Sequence, residues 1–334
     1  MQLIKHEKDN LYQLFTEFDN VYTHTSSRKK HYLVEPVFDP VFQDLFNMFK
    51  SYGYSFNITY KDKELKVPKV SKTKGKNIIV CFSGGKDSIA TVKYYQQRGY
   101  NVYLYHMKGI NYTYKDEYLM AEKASAFLQV PLYIDTVNLK GNHDYIEHPM
   151  KNMIIANGAL QYGIRENIGT EIAFGNYTTS TLRDDNFEIC GGDDCEMWEL
   201  YENIISKYIP NFKIHRVLEN LNDTLKTFVE NPELIPYAQS CIGPYRYKQY
   251  LRKNNQEKYH IQLPESHCGS CWKCCLEYCV FTDKGILEYN PEYYKHCMVI
   301  LQKTLRMETK QKCNFEDVWN HYFFYDKCES NFWL

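Results

Sequence analysis

The spacing of apolar residues changes period along the chain. Ile78, Ile79, Val80, Cys81 and Phe82 form a continuous apolar run with no polar face, the pattern of a strand buried on both sides inside a parallel sheet. From Ile89 the apolar positions fall at helical spacing (Ile89, Val92, Tyr95), which predicts a helix beginning near Lys86–Ser88. The same exchange of periods recurs downstream. Strands are expected over Asn101–Met107, Val130–Val137, Thr170–Phe174 and Phe212–Leu218, with helices over Tyr114–Gln129, Asn152–Asn167 and Asn222–Glu230. Strands alternating with helices predict an α/β fold with a doubly wound, mostly parallel sheet. Ligands of such sheets bind beyond the carboxyl ends of the strands, and the Ser83–Ser88 turn, Met107-Lys108-Gly109 and Gly175-Asn176 all fall on that edge.

The flanks read differently. Residues 1–75 form an N-terminal α+β extension, with an amphipathic helix over Val41–Tyr52. Alternating stretches at Tyr54–Tyr60 and Glu64–Val67 suggest a hairpin turning at Lys61-Asp62-Lys63. The lysine-rich Lys69–Lys76 is expected to link this extension to a core over 76–240, and residues 241–334 form a helical, cysteine-rich region. With 40 basic and 41 acidic side chains the formal net charge is −1, so no global field recruits nucleic acid. No run reaches the roughly 18–20 apolar residues of a membrane span, and Met1–Glu7 lacks the apolar core of a signal peptide. A cytoplasmic location is expected.

Chemistry enters at the turn Ser83-Gly84-Gly85-Lys86-Asp87-Ser88. Two glycines and a serine alone would justify only a capped strand-to-helix turn. Here two hydroxyls, a cation and a carboxylate crowd a helix N-terminus, whose amides and dipole favour an anion. No G-x-x-x-x-G-K-[ST] run precedes the helix, so the turn is not a Walker loop.

The cysteines supply a second constellation. Cys241 is followed after 26 residues by Cys268-Gly-Ser-Cys271-Trp-Lys-Cys274-Cys275, with Cys279 beyond. Four thiolates suit tetrahedral zinc, and Gly269 permits a tight knuckle. A thioredoxin-type pair would account for only two of these thiols. The expected ligands are Cys241, Cys268, Cys271 and Cys274, with Cys275 and Cys279 as competitors. Cys297, Cys313 and Cys328 read as ordinary helix positions.

The Ser-Gly-Gly-x-Asp-Ser turn followed by C-x26-C-x2-C-x2-C resembles the ATP pyrophosphatases, and within them the 7-cyano-7-deazaguanine synthases. The likeness spans roughly Lys76–Phe281. Smaller matches lie between: His148-Pro149-Met150-Lys151-Asn152, Gly175-Asn176, Asp194-Cys195, Ser240-Cys241 and His267-Cys268-Gly269. Lys151 stands where the family usually has Arg, residues 177–193 form a longer polar loop, and both flanks lie outside the match.

The resemblance implies an adenine nucleotide alpha hydrolase-like sheet and an ATP-dependent carbon–nitrogen ligase. It assigns Ser83, Gly84, Gly85, Lys86, Asp87 and Ser88 to pyrophosphate and magnesium, with Lys86, Asp87 and Ser88 catalytic. Tyr105, His106 and Met107 would hold adenine. Lys151, Asn152, Gly175, Asn176, Asp194 and Cys195 would line the pocket of a 7-deazaguanine-type carboxylate, with ammonia as second substrate. Three rivals stay open: a tRNA thiolase of the same fold, adenylation with a protein amine as acceptor, and a non-enzymatic ATP-binding subunit. A homodimer is also left open.

Overall fold

The computed structural model describes residues 75–109, 117–138, 148–178, 195–209, 211–219, 221–238, 241, 245–265 and 267–309, with short pieces at 2–3, 33–34, 37–38, 44, 57–58 and 61–62. The chain divides into two compact units, Met1–Asn220 and Leu221–Leu334.

The first unit is built on five parallel strands: β1 (Asn77–Cys81), β2 (Asn101–Lys108), β3 (Leu132–Asn138), β4 (Glu171–Tyr177) and β5 (Lys213–Leu218). Their order is β3-β2-β1-β4-β5, and Gln2–Leu3 adds antiparallel to the outer edge of β3. β1 is central. Ile78, Ile79 and Val80 are wholly buried, as the uninterrupted apolar run requires. The connecting helices are α1 (Lys86–Gln97), α2 (Glu117–Leu128), α3 (His148–Arg165) and α4 (Cys195–Ser206). Right-handed crossovers put α1 and α2 on one face, and α3 and α4 on the other. Each helix follows a parallel strand, so all four N-termini lie at the sheet's carboxyl edge.

Close helix–sheet packing is visible at Gly163 of α3, where an added Cβ would collide with the Gly169 carbonyl and the Ile79 side chain. Aromatic contacts tie the layers together. Tyr133 stacks on Tyr162 at 4.5 Å between centroids, and Phe174 meets Trp198 at 4.9 Å.

Two expectations change. α3 begins at His148, four residues before the expected Asn152, because Pro149 fits the first turn of a helix, where no amide hydrogen bond is needed. The hairpin at Lys61–Lys63 is absent from the described residues. Instead Lys61–Asp62 pairs in parallel with Val37–Phe38, and Asn57–Ile58 with Leu33–Val34. Alternation signals a strand but not its partner, and here the partners are non-local. The Val41–Tyr52 helix and the Lys69–Lys76 linker lie outside the described residues, apart from helical Asp44, Gly75 and Lys76.

The second unit is helical: α5 (Leu221–Glu230), a 3-10 turn at Pro232–Tyr237, α6 (Tyr245–Tyr259), α7 (Trp272–Asp283) and α8 (Pro291–Thr309). α7 is its core element, with Cys274–Thr282 all buried and α8 packed along it. No described helix is long and apolar enough to cross a membrane.

Candidate functional site

The strand order reverses direction between β1 and β4, and the Ser83–Ser88 turn leaves β1 at that point. Gly84 adopts φ +72°, and a Cβ there would come within 2.7 Å of the Ala121 amide nitrogen on α2. Gly175, at the end of β4, would place a Cβ 2.7 Å from the Asp87 carbonyl carbon and 2.8 Å from the Ser88 nitrogen. Both glycines are required by backbone packed against backbone. The turn is thus wedged between α2 and β4.

Inside the turn, the Gly85 amide donates to Ser83 Oγ at 3.1 Å, and Ser88 Oγ donates to the Gly85 carbonyl at 2.9 Å. Ser83 and Ser88 hydroxyls lie 3.4 Å apart. Gly85 is the N-cap of α1, with no side chain capping it. The first intrahelical bond runs from Ile89 N–H to the Gly85 carbonyl, so the amides of Lys86, Asp87 and Ser88 precede the helical ladder. The buried Lys86 ammonium donates to Asp87 Oδ2 at 3.0 Å. Hydroxyls, amides, an ammonium and a carboxylate therefore converge on one helix N-terminus, an arrangement suited to phosphate and a divalent cation.

Phe82, just before the turn, is pinned to β2 on both sides. Its N–H donates to the Tyr105 carbonyl at 2.7 Å, and its carbonyl accepts from His106 Nδ1 at 2.8 Å. A carbonyl cannot donate, so Nδ1 carries the hydrogen. Burial lowers the His106 pKa, opposed by Glu117, and the neutral ring leaves Nε2 as an acceptor. The Tyr105 hydroxyl donates to Asp135 Oδ2 at 3.3 Å, and Met107 is buried beside it on β2.

Gly175 and Asn176 lie at the end of β4, against the turn in the case of Gly175. Asn152 sits half-buried in the first turns of α3, and Lys151 precedes it on the same helix. Cys195 opens α4, while Asp194 lies outside the described residues. Topology puts these helix starts on the carboxyl edge.

In the second unit the sulfurs of Cys241, Cys268, Cys271 and Cys274 all lie within 4.8 Å of one another. Cys271–Cys274, Cys268–Cys274 and Cys241–Cys271 separations are 3.3, 3.9 and 3.9 Å. Zinc–sulfur bonds of about 2.3 Å in a tetrahedron require sulfurs about 3.8 Å apart, so the four thiols can hold a metal ion such as zinc. The amides of Ser270 and Cys271 both donate to Cys268 Sγ at 3.3 Å. Gly269 makes that knuckle with φ +72°. Contacts with Cys241 and then the other sulfurs hold the Cys268 thiol well below its usual range, and Cys241 likewise brings Cys271 down to about 6.

Cys275 and Cys279 are not rivals for this site. The four-sulfur cluster does not include them; interaction with Cys297 on α8, together with burial, pushes both thiols up. Burial works against ionising Cys297, but contacts from Cys275, Cys279 and Tyr293 bring it down to about 5.

Sequence reading missed the knuckle's supports. Asn255 Nδ2 donates to the Cys268 carbonyl at 3.2 Å and to Ser270 Oγ at 2.8 Å. The Tyr293 hydroxyl donates to the Gly269 carbonyl at 2.8 Å, and buried His267 pairs with Glu277 at 2.6 Å. These partners come from other helices, and no local pattern marks them.

No family model and no curated protein match the chain. Among solved structures it is similar to one described as a predicted subunit of tRNA methyltransferase from Methanocaldococcus jannaschii, at 17% identity and a TM-score of 0.28, over 57% of this chain and 91% of that one. A likeness at that level adds nothing to the strand order above.

Proposed function

We propose that the protein is an ATP-dependent carbon–nitrogen ligase that activates a carboxylate as its AMP ester, in the manner of a 7-cyano-7-deazaguanine synthase. The observation that carries this reading is the Ser83–Ser88 turn, seated at the sheet's reversal point and fixed between Gly175 and α2. A carboxylate oxygen attacks the α-phosphorus of ATP, and the bond to the β-phosphate oxygen breaks, releasing pyrophosphate. Ammonia then adds to the acyl carbon, AMP leaves and a proton is lost, giving the amide. A second adenylation, on the amide oxygen, allows AMP to depart with that oxygen and leaves the nitrile.

Charge accumulates on the departing pyrophosphate. The amides of Gly84–Ser88, the hydroxyls of Ser83 and Ser88 and the Lys86 ammonium are preorganised to receive it. Magnesium, held through Asp87, would supply further neutralisation there. Binding nucleotide exchanges the Lys86–Asp87 ion pair for phosphate and metal contacts. The β2 backbone from Tyr105 to Met107 receives adenine. We assign Lys151, Asn152, Asn176, Asp194 and Cys195 to the carboxylate substrate. The four-cysteine site has every thiolate engaged, which fits a structural brace and not a catalytic centre.

Incubation with ATP, ammonium and 7-carboxy-7-deazaguanine should yield AMP, pyrophosphate and a product 19 mass units lighter, about the change from carboxylic acid to nitrile expected for the two-adenylation sequence. AMP without nitrile would shift the reading to another acceptor, such as a protein amine. No AMP across a panel of carboxylates would overturn it.

A further inference from the structure

We propose that Lys248 is the counter-charge of the four-cysteine site, a positioning residue that sets how tightly the site holds a divalent metal. Four thiolates around a divalent ion carry a net double negative charge. Such a charge is costly to bury unless a cation lies near.

Lys248 lies on α6 and is 5% exposed, unusual for a lysine. Residues three and seven positions further on share its helix face, and both face the knuckle. Leu251 packs against the cluster of Cys241, Cys268 and Cys274, and Asn255 bonds the Cys268 carbonyl and Ser270. Burial works against the Lys248 charge, and among the described residues the groups that act to sustain it are the four cysteines of the site. The simplest competing account is that its aliphatic stem fills space beside Leu251, as buried lysine stems do. That account needs no charge.

The two are separated with the full chain loaded with zinc. Lys248→Met keeps the stem and removes the charge, while Lys248→Arg keeps the charge. Competition with a chromophoric chelator should show zinc held about 10- to 100-fold more weakly in the methionine variant, the range seen when partners of metal ligands are lost. The arginine variant should keep most of the affinity. Alkylation of the zinc-loaded cysteines by iodoacetamide should be faster in the methionine variant, because a less neutralised thiolate is the better nucleophile. Unchanged zinc affinity in Lys248→Met, or an equal fall in Lys248→Arg, overturns the proposal. Should Lys248→Met lose helical signal by circular dichroism, Lys248→Gln takes its place under the same criteria. Failure of ATP chemistry elsewhere in the chain leaves this result untouched.

Discussion

Replacing Gly175 with alanine adds one methyl group at the junction of β4 and the turn. Its Cβ would lie 2.7 Å from the Asp87 carbonyl carbon and 2.8 Å from the Ser88 nitrogen, where carbon contacts are comfortable only near 3.5–4.0 Å. These are backbone atoms, so no rotamer relieves the overlap. The first turn of α1 must retreat by roughly 1 Å, and overpacking of this kind costs about 1–3 kcal/mol in stability. The functional loss should be larger. Misaligning even one charged hydrogen bond forfeits about 1.5–3 kcal/mol, or roughly 10- to 150-fold in nucleotide affinity. Gly99→Ala is the matched control. It has φ +72° with nothing within 4 Å of the added Cβ, so it should lower stability by about 1–2 kcal/mol through backbone strain alone and leave nucleotide affinity unchanged. Calorimetric titration with a non-hydrolysable ATP analogue, alongside thermal unfolding, reads both. A folded Gly175→Ala protein that binds the analogue as tightly as the parent would refute the argument that the turn is the nucleotide site.

Three further outcomes follow from the same geometry. Asp87→Ala should abolish pyrophosphate release yet leave metal content at about one zinc per chain by elemental analysis, because Asp87 and the cysteines lie in different units; loss of both together would contradict that independence. Cys268→Ser removes the sulfur that accepts two amide hydrogen bonds, and should abolish stoichiometric zinc binding and lower the melting temperature of the second unit; retained zinc would contradict the ligand assignment. His106 has a pKa lowered by burial, so the unfolded chain binds more protons below its ordinary value of about 6.5. Its contribution to stability is complete above that pH and is lost as pH falls through the lower folded value. His106→Asn should flatten denaturant-midpoint curves in that window, and an unchanged slope would remove His106 from the account.

How much was legible in the sequence depends on range. The apolar run at Ile78–Phe82 dictates a central strand because no register of it offers a polar face, and β1 is indeed the middle of the sheet. The turn at Ser83–Ser88 and the cysteine spacing were readable because each is local, and Gly84 and Gly269 adopt the positive φ that their positions demanded. The edge pairing of Gln2–Leu3 with β3 was not readable, since two residues have no period. The pairing of Lys61–Asp62 with Val37–Phe38 was missed because a polar Lys-Asp-Lys between two alternating stretches reads as a turn, and a two-residue strand has no period to say otherwise. Asn255 and Tyr293 were invisible as supports of the knuckle because they lie on two other helices, α6 and α8, whose own patterns say only amphipathic. Cys275 and Cys279 looked like equal candidates for metal in one dimension. In the structure both are buried on α7 and lie outside the four-sulfur cluster.

The central claim is that the backbone amides of the turn grip pyrophosphate. Amide chemical shifts of Gly84, Gly85, Lys86, Asp87 and Ser88, followed while magnesium pyrophosphate is titrated into the full chain, test it most directly. Large, saturable shifts are expected at these five amides, with a common dissociation constant. Saturable binding that leaves all five unmoved, with the shifts located elsewhere in the chain, would contradict it.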